Sequence, residues 1–238
     1  MQTNPDATFD SRPARGLALL LLIEALFNFA PIAVLGPAIG WPASLTNPAA
    51  QQLAAIAAHP DAVAFGYGLY LLFSIALAPL MIAFAARTFG SLQGPVAMTV
   101  AVFAGLSTLA RSLGILRWLT VMPILAQQSL SADAATHAQL EMLFTAIHSY
   151  AGGIGEILGV GLFMAIAMGT LSIGGALSRR MPGWLVGLGL LAAATELALA
   201  LPAIGIPLHI SPAPASVSLS LWLVGAAVFC FKARNKAA

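Results

Sequence analysis

The stretch from Glu141 to Glu156, EMLFTAIHSYAGGIGE, places two carboxylates and a histidine inside a long apolar segment. Such groups can relay protons, bind a metal or border the path of an ion or solute through a membrane. At about 100° per residue, Glu141, His148 and Glu156 fall within a sector of roughly 80° on one helical face. Ionisable groups in hydrocarbon cost about 2.5–3.5 kcal/mol or more each, so this pattern predicts a polar centre that faces protein or water.

Ionisable residues occur in several apolar segments of the chain, and together they are Glu24, Arg111, Arg117, Glu141, His148, Glu156 and Glu196. Four carboxylates and two arginines favour pairing. From their depth along the helices, at about 1.5 Å per residue, we expect Arg111 to pair with Glu156 or Glu196 and Arg117 to pair with Glu141. These residues would either hold the helices together or handle a proton, an ion or an anionic ligand. Small residues alone would suffice for packing, which favours the second role.

The composition is that of a membrane protein. Of 238 residues, 60% are hydrophobic and only 8% are charged, and the mean hydropathy is +0.93. A soluble domain averages roughly 25% charged residues, which its surface needs. The surface of this chain must therefore lie in lipid, and its few basic residues exclude nucleic acid as a partner. The single cysteine, Cys230, permits no intrachain disulfide and is expected to be a small apolar residue of the last span.

Six apolar runs are predicted as membrane spans, since a helix needs about 20 mainly apolar residues to cross a bilayer. They cover residues 16–40, 62–86, 96–125, 140–172, 184–204 and 217–231. The first run is too long for the apolar core of a signal peptide, so we expect it to be retained. A short interfacial helix is predicted for residues 47–58, between the first two spans.

Three of the spans have features that bear on the polar centre. Glu24, Asn28, Pro31 and Pro37 interrupt the first span, whose outer half is expected to kink or unwind. Tyr67 and Tyr70, near the outer end of the second span, suit an interfacial aromatic belt. The fourth span is longer than a bilayer requires, which implies tilt or a projecting end, and the glycines at its middle permit a close helix approach or a break: Gly152, Gly153 and Gly155.

If the chain crosses the membrane six times, all the basic residues outside the spans lie on the same side as the N-terminus: Arg12, Arg15, Arg87, Arg179, Arg180, Lys232, Arg234 and Lys236. The opposite loops contain no Lys or Arg. The positive-inside rule then predicts that both termini are cytoplasmic. We therefore expect an all-α polytopic membrane protein, a bundle of six transmembrane helices over residues 16–231. A disordered cytoplasmic tail is expected at residues 1–15 and a basic cytoplasmic tail at 232–238.

The histidines do not form a recognisable metal motif. All four, His59, His137, His148 and His209, fall in outer loops or in the outer half of a span, and the chain has no HExxH and no Glu-x-x-His. Dispersed histidines are more often surface residues, so no metal site is predicted and the cofactor stays unassigned. If a metal were bound, its ligands would come from Glu141, His148 and Glu156. His148 is the exception among the four, because its place on the charged face suits proton relay.

Two short motifs lie within a six-span layout with short loops: ARSLGILRW, around Arg111 and Arg117, and GEILG, at Glu156. In this layout the chain resembles the small uncharacterised multi-pass membrane proteins of bacteria that are grouped as domains of unknown function. The resemblance covers most of the chain. It implies a location in the bacterial inner membrane and supplies no activity or catalytic residues.

Three functions remain open on the sequence alone. The first is a carrier or binding protein for a small molecule or ion, whose polar centre uses Arg111, Glu156 and Glu196. Arg111 would bind an anionic group or neutralise the acids, and one acid would exchange protons. The second is an intramembrane enzyme that uses Glu141, His148 and Glu156, with or without a metal. The third is an accessory subunit of a larger membrane complex, with the lipid bilayer and other subunits as partners.

Overall fold

The fold is all α-helical, as predicted. The computed structural model describes residues 14–206 and 211–232, and these contain helices and no strand. The α-helices are α1 (Arg15–Phe27), α2 (Ala30–Ile39), α3 (Ala49–Ala58), α4 (Pro60–Phe89), α5 (Pro95–Leu119), α6 (Val121–Ser129), α7 (Ala134–Gly152), α8 (Met164–Leu177), α9 (Gly183–Ala200) and α10 (Ala213–Lys232). A π-helical segment, Gly153–Phe163, joins α7 to α8, and single turns of 3₁₀-helix form at Ala43–Thr46 and Leu201–Ile204.

Six helical stretches within the described residues are long and apolar enough to cross a membrane, which confirms the predicted number of spans. They are Arg15–Ile39, Pro60–Phe89, Pro95–Ser129, Ala134–Leu177, Gly183–Ile204 and Ala213–Lys232. The short helix predicted between the first two spans is present as α3, and its place at the membrane interface stays a prediction. Most of the predicted tails, residues 1–13 and 233–238, lie outside the described residues. His209 also lies outside them.

The first span is broken near its middle, as predicted. Helix α1 ends at Phe27 and α2 begins at Ala30, with Pro31 in its first turn, where the missing N–H has no helical partner to lose. Asn28 lies at the break. Its Nδ2 donates to the backbone oxygen of Ser216 and to Oγ of Ser220, both at 2.9 Å, so the break is tied to α10.

The third and fourth spans are longer than a bilayer needs, and neither is a continuous α-helix. Thr120, with φ −123° and ψ −70°, separates α5 from α6. Helix α7 starts at an N-cap, Asp133, whose Oδ1 accepts the backbone N–H of Thr136 at 2.8 Å. This hydrogen bond lowers the pKa of Asp133 below its ordinary value. The i→i+5 bonding of the π-helical segment then changes the direction of side chains along the fourth span.

Glycines bring α5 and the π-helical segment into backbone contact. A Cβ added at Gly114 would lie 2.6 Å from Cα of Gly155, and one added at Gly159 would lie 2.8 Å from the backbone nitrogen of Arg111. No side chain fits at these points. The close approach predicted from the glycines of the fourth span therefore occurs against the helix that contains both buried arginines.

The apolar residues form two cores. The bundle core joins α1, α4, α5, α8, α9 and α10 and includes Phe73, Leu77, Phe84, Met168 and Trp222. The second core lies where α3, α6 and α7 pack together beside α4 and α5, and it includes Leu53, Ile56, Met122, Leu125 and Phe144. We call α3, α6 and α7 the cap. The cap explains why the third and fourth spans extend beyond the predicted lengths: their additional turns bury this second core.

The two ends of the bundle differ in charge. Arg15, Arg87, Arg179, Arg180 and Lys232 lie at helix ends on one side, which we call the basic face. Arg180 joins two of these ends by donating Nη1 to the backbone oxygen of Thr88 at 3.2 Å. The opposite end, which holds the cap, is the cap face. The cytoplasmic location of the basic face stays a prediction from the positive-inside rule.

Candidate functional site

A cavity of about 270 Å³ lies between the helices at the cap-face end of the bundle. All six spans and the loop between α2 and α3 contribute to its wall. Exposed Thr46 and Pro202 border its mouth. The polar and aromatic residues of the wall are Asn28, Trp41, Thr46, Tyr67, Tyr70, Arg111, Arg117, Trp118, Glu156, Glu196 and Ser216.

The first ion pair joins Arg111 on α5 to Glu196 on α9. Nη2 of Arg111 lies 3.7 Å from Oε1 of Glu196, and the side chains are only 4% and 1% exposed. Glu24 on α1 is also buried and lies within electrostatic range of Arg111. No hydrogen-bond partner is found among the described residues for Nε and Nη2 of Arg111, for Oε1 of Glu24 or for Oε2 of Glu196. This pair is one of the two alternatives predicted for Arg111.

The second ion pair joins Arg117 on α5 to Glu156 in the π-helical segment. Nη2 of Arg117 donates to Oε1 of Glu156 at 3.4 Å, and Nη1 donates to the backbone oxygen of Gly114 at 3.0 Å. The guanidinium also lies 5.3 Å from the ring centroid of Trp118. Arg117 is 4% exposed, whereas the side chain of Glu156 is 50% exposed because it faces the cavity.

The predicted pairing of Arg117 with Glu141 is wrong. Glu141 instead contacts His137, one turn earlier on α7, with 2.8 Å between Oε1 and Nδ1. Fifteen residues separate Glu141 from Glu156, or roughly 22 Å along a helix. Glu141 therefore lies in the cap, well beyond the level of Arg117, because the fourth span begins earlier than the apolar run indicated.

The three ionisable residues that were expected on one helical face, Glu141, His148 and Glu156, do not meet at one site. His148 is half-buried beside Phe144, with parallel rings 5.6 Å apart, and meets the edge of Trp118 at 5.5 Å. It contacts the backbone of Leu45 and does not line the cavity. The three residues therefore have separate surroundings.

The sequence analysis missed the aromatic part of the wall. Tyr67 was expected in an interfacial belt, but it is buried and stacked on Trp118, with ring centroids 4.7 Å apart. Tyr70 also faces the cavity and meets Trp41 edge to face at 5.8 Å. The available signal was their spacing: residues 67 and 70 share a helical face, and Trp118 directly follows an arginine.

Chemically, the site can bind a small polar molecule between charged and aromatic groups. Within the described residues no three His, Cys, Asp or Glu side chains are grouped so that they could hold a metal ion. The one cysteine, Cys230, is buried in α10, outside the cavity wall. The wall offers two guanidiniums, two carboxylates, two phenols and two indoles, which can donate and accept hydrogen bonds and stack on a ligand.

Comparison with known proteins supplies a family and no activity. No curated protein and no solved structure matches the chain. One family model does match, described as a domain of unknown function (DUF4386), over residues 16–226. That range contains all the ionisable residues of the cavity wall and nearly all of the six spans. The chain is therefore a member of the DUF4386 family of multi-pass membrane proteins.

Proposed function

We propose that this protein binds a small molecule in the cavity at the cap-face end, as a carrier or ligand-binding protein of a bacterial inner membrane. The observation that supports this best is the cavity itself, because both ion pairs contribute to one wall. Ion pairs that serve only to hold helices together do not require a common cavity beside them. Ligand sites in helical membrane proteins are concave, largely apolar and furnished with a few convergent polar groups.

The interrupted helices support the same proposal. The break at Asn28, the π-helical segment with Glu156 and the 3₁₀ turn with Pro202 all border the cavity. Irregular backbone at membrane depth is tolerated where it is buried in protein or lines a polar cavity, and carriers use broken helices to form their binding sites. Three interruptions around one space fit a binding site better than a bundle designed only for rigidity.

The charge distribution suggests the direction from which the ligand enters. The cavity lies at the end opposite the basic face, and the positive-inside rule assigns the basic face to the cytoplasm. In this orientation the mouth near Thr46 and Pro202 opens to the periplasmic side.

The enzyme hypothesis has less support. It required Glu141, His148 and Glu156 to act together, and only Glu156 lines the cavity. The accessory-subunit hypothesis stays a prediction, since none of the contacts described above involves a second protein.

Native mass spectrometry can test the proposal on protein released from its own membranes in gentle detergent. We expect a small molecule to be retained by the unmodified protein and to be lost from Leu199→Trp, because Leu199 lines the cavity and the larger ring would fill it. Leu197→Trp is the matched control, since Leu197 lies two residues away on α9 and is exposed on the lipid side. Retention by Leu199→Trp, or no retained molecule in the unmodified protein, would contradict the proposal.

A further inference from the structure

The cavity presents one kind of charge to a ligand. Of the four ionisable residues in its wall, Arg111, Arg117 and Glu196 are almost completely buried, and only Glu156 is substantially exposed. A molecule that enters therefore meets a carboxylate first, with the guanidiniums behind it. This arrangement is the reverse of an anion site, where the arginine fork projects into the space.

Both arginines already face carboxylates of the protein, although Nε and Nη2 of Arg111 and Nε of Arg117 have no hydrogen-bond partner among the described residues. Arg117 donates to Gly114 and to Glu156 and lies beside the ring of Trp118. Arg111 lies between two carboxylates, Glu196 in contact and Glu24 within electrostatic range. The ionisable group of the wall that is left to face a ligand is therefore Glu156.

Aromatic rings stand on the same wall. Trp41 and Tyr70 line the cavity, are only partly buried and meet edge to face. The faces of Trp and Tyr attract ammonium groups within about 6 Å through the ring quadrupole. An indole and a phenol near an exposed carboxylate are the groups that recognise an amine or a quaternary ammonium.

The segments around the mouth of the cavity carry negative charge, as the exposed carboxylate of the cavity does. The cap-face segments, residues 40–61, 119–141, 204–206 and 211–216, contain no Lys or Arg but do contain Asp61, Asp133 and Glu141. Charge of one sign around a cleft raises the local concentration of the opposite ion and increases its rate of entry by about 10- to 1,000-fold.

From these four observations we infer that the ligand of the cavity is an organic cation: a primary amine or quaternary ammonium whose head binds Glu156 beside Trp41 and Tyr70. The inference rests on the proposed function, because it assigns a chemical class to the same cavity. It also gives Arg111 and Arg117 a wall-forming role in place of ligand binding.

A pair of thiol reagents that differ only in charge tests the inference. Ser216 lies in the cavity wall on α10, and Ser216→Cys is nearly isosteric; Cys230→Ser removes the native thiol from the background. The reagents are the trimethylammonium-ethyl and the sulfonato-ethyl methanethiosulfonates. Ser131→Cys, in the exposed α6–α7 loop on the same side of the membrane, reports the preference outside the cavity.

We expect the ratio of cationic to anionic labelling rates to be about tenfold or more higher at Ser216→Cys than at Ser131→Cys. Adding Glu156→Gln should bring the ratio at position 216 close to that at position 131, while leaving the latter unchanged. Equal ratios at the two positions would overturn the cation assignment and leave the cavity in place. Failure of both reagents to label position 216 in folded protein would overturn the cavity proposal itself.

Equilibrium binding provides the second measurement. Thermal unfolding of the purified protein is followed with tetramethylammonium chloride, butylammonium chloride, sodium butyrate or sodium chloride at equal ionic strength. We expect the two ammonium salts alone to raise the melting temperature, with an apparent affinity about tenfold or more weaker in Glu156→Gln. The matched control is Glu141→Gln, on the same span but outside the cavity; it removes one charge from the approach only and should weaken binding far less than Glu156→Gln does. Equal stabilisation by sodium chloride or by butyrate would overturn the inference.

Discussion

The two ion pairs of this protein share a helix but have different surroundings. Arg111 and Arg117 lie six residues apart on α5, yet the partner of the first, Glu196, is buried, and the partner of the second, Glu156, is half exposed. The first pair, which we call the enclosed pair, is almost completely buried in the wall of the cavity. In the second pair, protein surrounds Arg117, whereas the carboxylate of Glu156 faces the cavity. A pair of the second kind can exchange its partner for a ligand group, and a pair of the first kind cannot do so without opening the bundle.

The energetic expectation differs accordingly. Removing one member of the Arg111–Glu196 pair leaves an uncompensated charge in a medium of low dielectric constant. Replacing Glu156 with a neutral side chain of the same shape instead leaves Arg117 with its bond to Gly114 and with a polar group that faces the cavity. The Arg111–Glu196 pair should therefore act mainly on stability. Glu156 should act mainly on binding.

The largest effect is expected from Arg111→Ala. This change leaves Glu196, and Glu24 nearby, without a cation in the bundle, and we expect it to lower the free energy of unfolding by about 3–5 kcal/mol. The measurement is unfolding in detergent, followed by fluorescence, with the yield of monodisperse protein as a second readout.

The double variant Arg111→Met/Glu196→Leu is its control. Because both charges are replaced by apolar groups of similar size, most of the lost stability should return. If Arg111→Ala accumulates and unfolds as the unmodified protein does, the enclosed pair is not a structural element and the comparison fails.

A smaller effect is expected from Gly114→Ala, which lies between the two arginines. The new Cβ would lie 2.6 Å from Cα of Gly155, so α5 and the π-helical segment would have to separate, at a cost of about 1–3 kcal/mol. Gly105→Ala on the same helix meets nothing within 4 Å and should leave stability unchanged or raise it by up to about 1 kcal/mol. Equal unfolding free energies for the two alanine variants would show that the contact does not hold the pairs in place.

The smallest effect on stability is expected from Glu156→Gln. The amide keeps the shape of the side chain, Arg117 keeps its bond to Gly114, and water can enter the cavity, so the change should stay within about 1 kcal/mol. Glu196→Gln, in the enclosed pair, should cost clearly more. The same unfolding assay compares them, and an equal or larger loss in Glu156→Gln would remove the distinction between the pairs.

Much of the fold follows from local properties of the chain. Apolar length indicates the six spans, the residues around Asn28 and Pro31 indicate the broken first span, and the glycines at 152–155 indicate the close crossing. Each of these features depends on residues that are close together in the chain, so it can be predicted from the sequence alone. The partner of Arg111 was narrowed to two residues by depth along the helices, and one of the two is correct.

The site depends on geometry that the residues do not encode locally. Arg117 was assigned to Glu141 because a regular helix was assumed and because the cap, which shifts the fourth span, could not be foreseen. Tyr67 was assigned to the lipid interface because an amphipathic ring suits both an interface and a buried stack; only the position of Trp118 distinguishes these. The direction in which a side chain points around the bundle was the information that the sequence lacked.

The π-helical segment has a consequence for comparing this chain with its relatives. Each of its turns closes over one residue more than an α-helical turn, so the segment between α7 and α8 contains residues that a regular helix would not need. A relative with a regular helix there would have a chain shorter by a residue or more, and its side chains would follow a different phase. A carboxylate that aligns with Glu156 in such a relative would point away from the cavity, and a carboxylate one position away would replace it. Family members should therefore be compared by which side chain enters the cavity, rather than by column position.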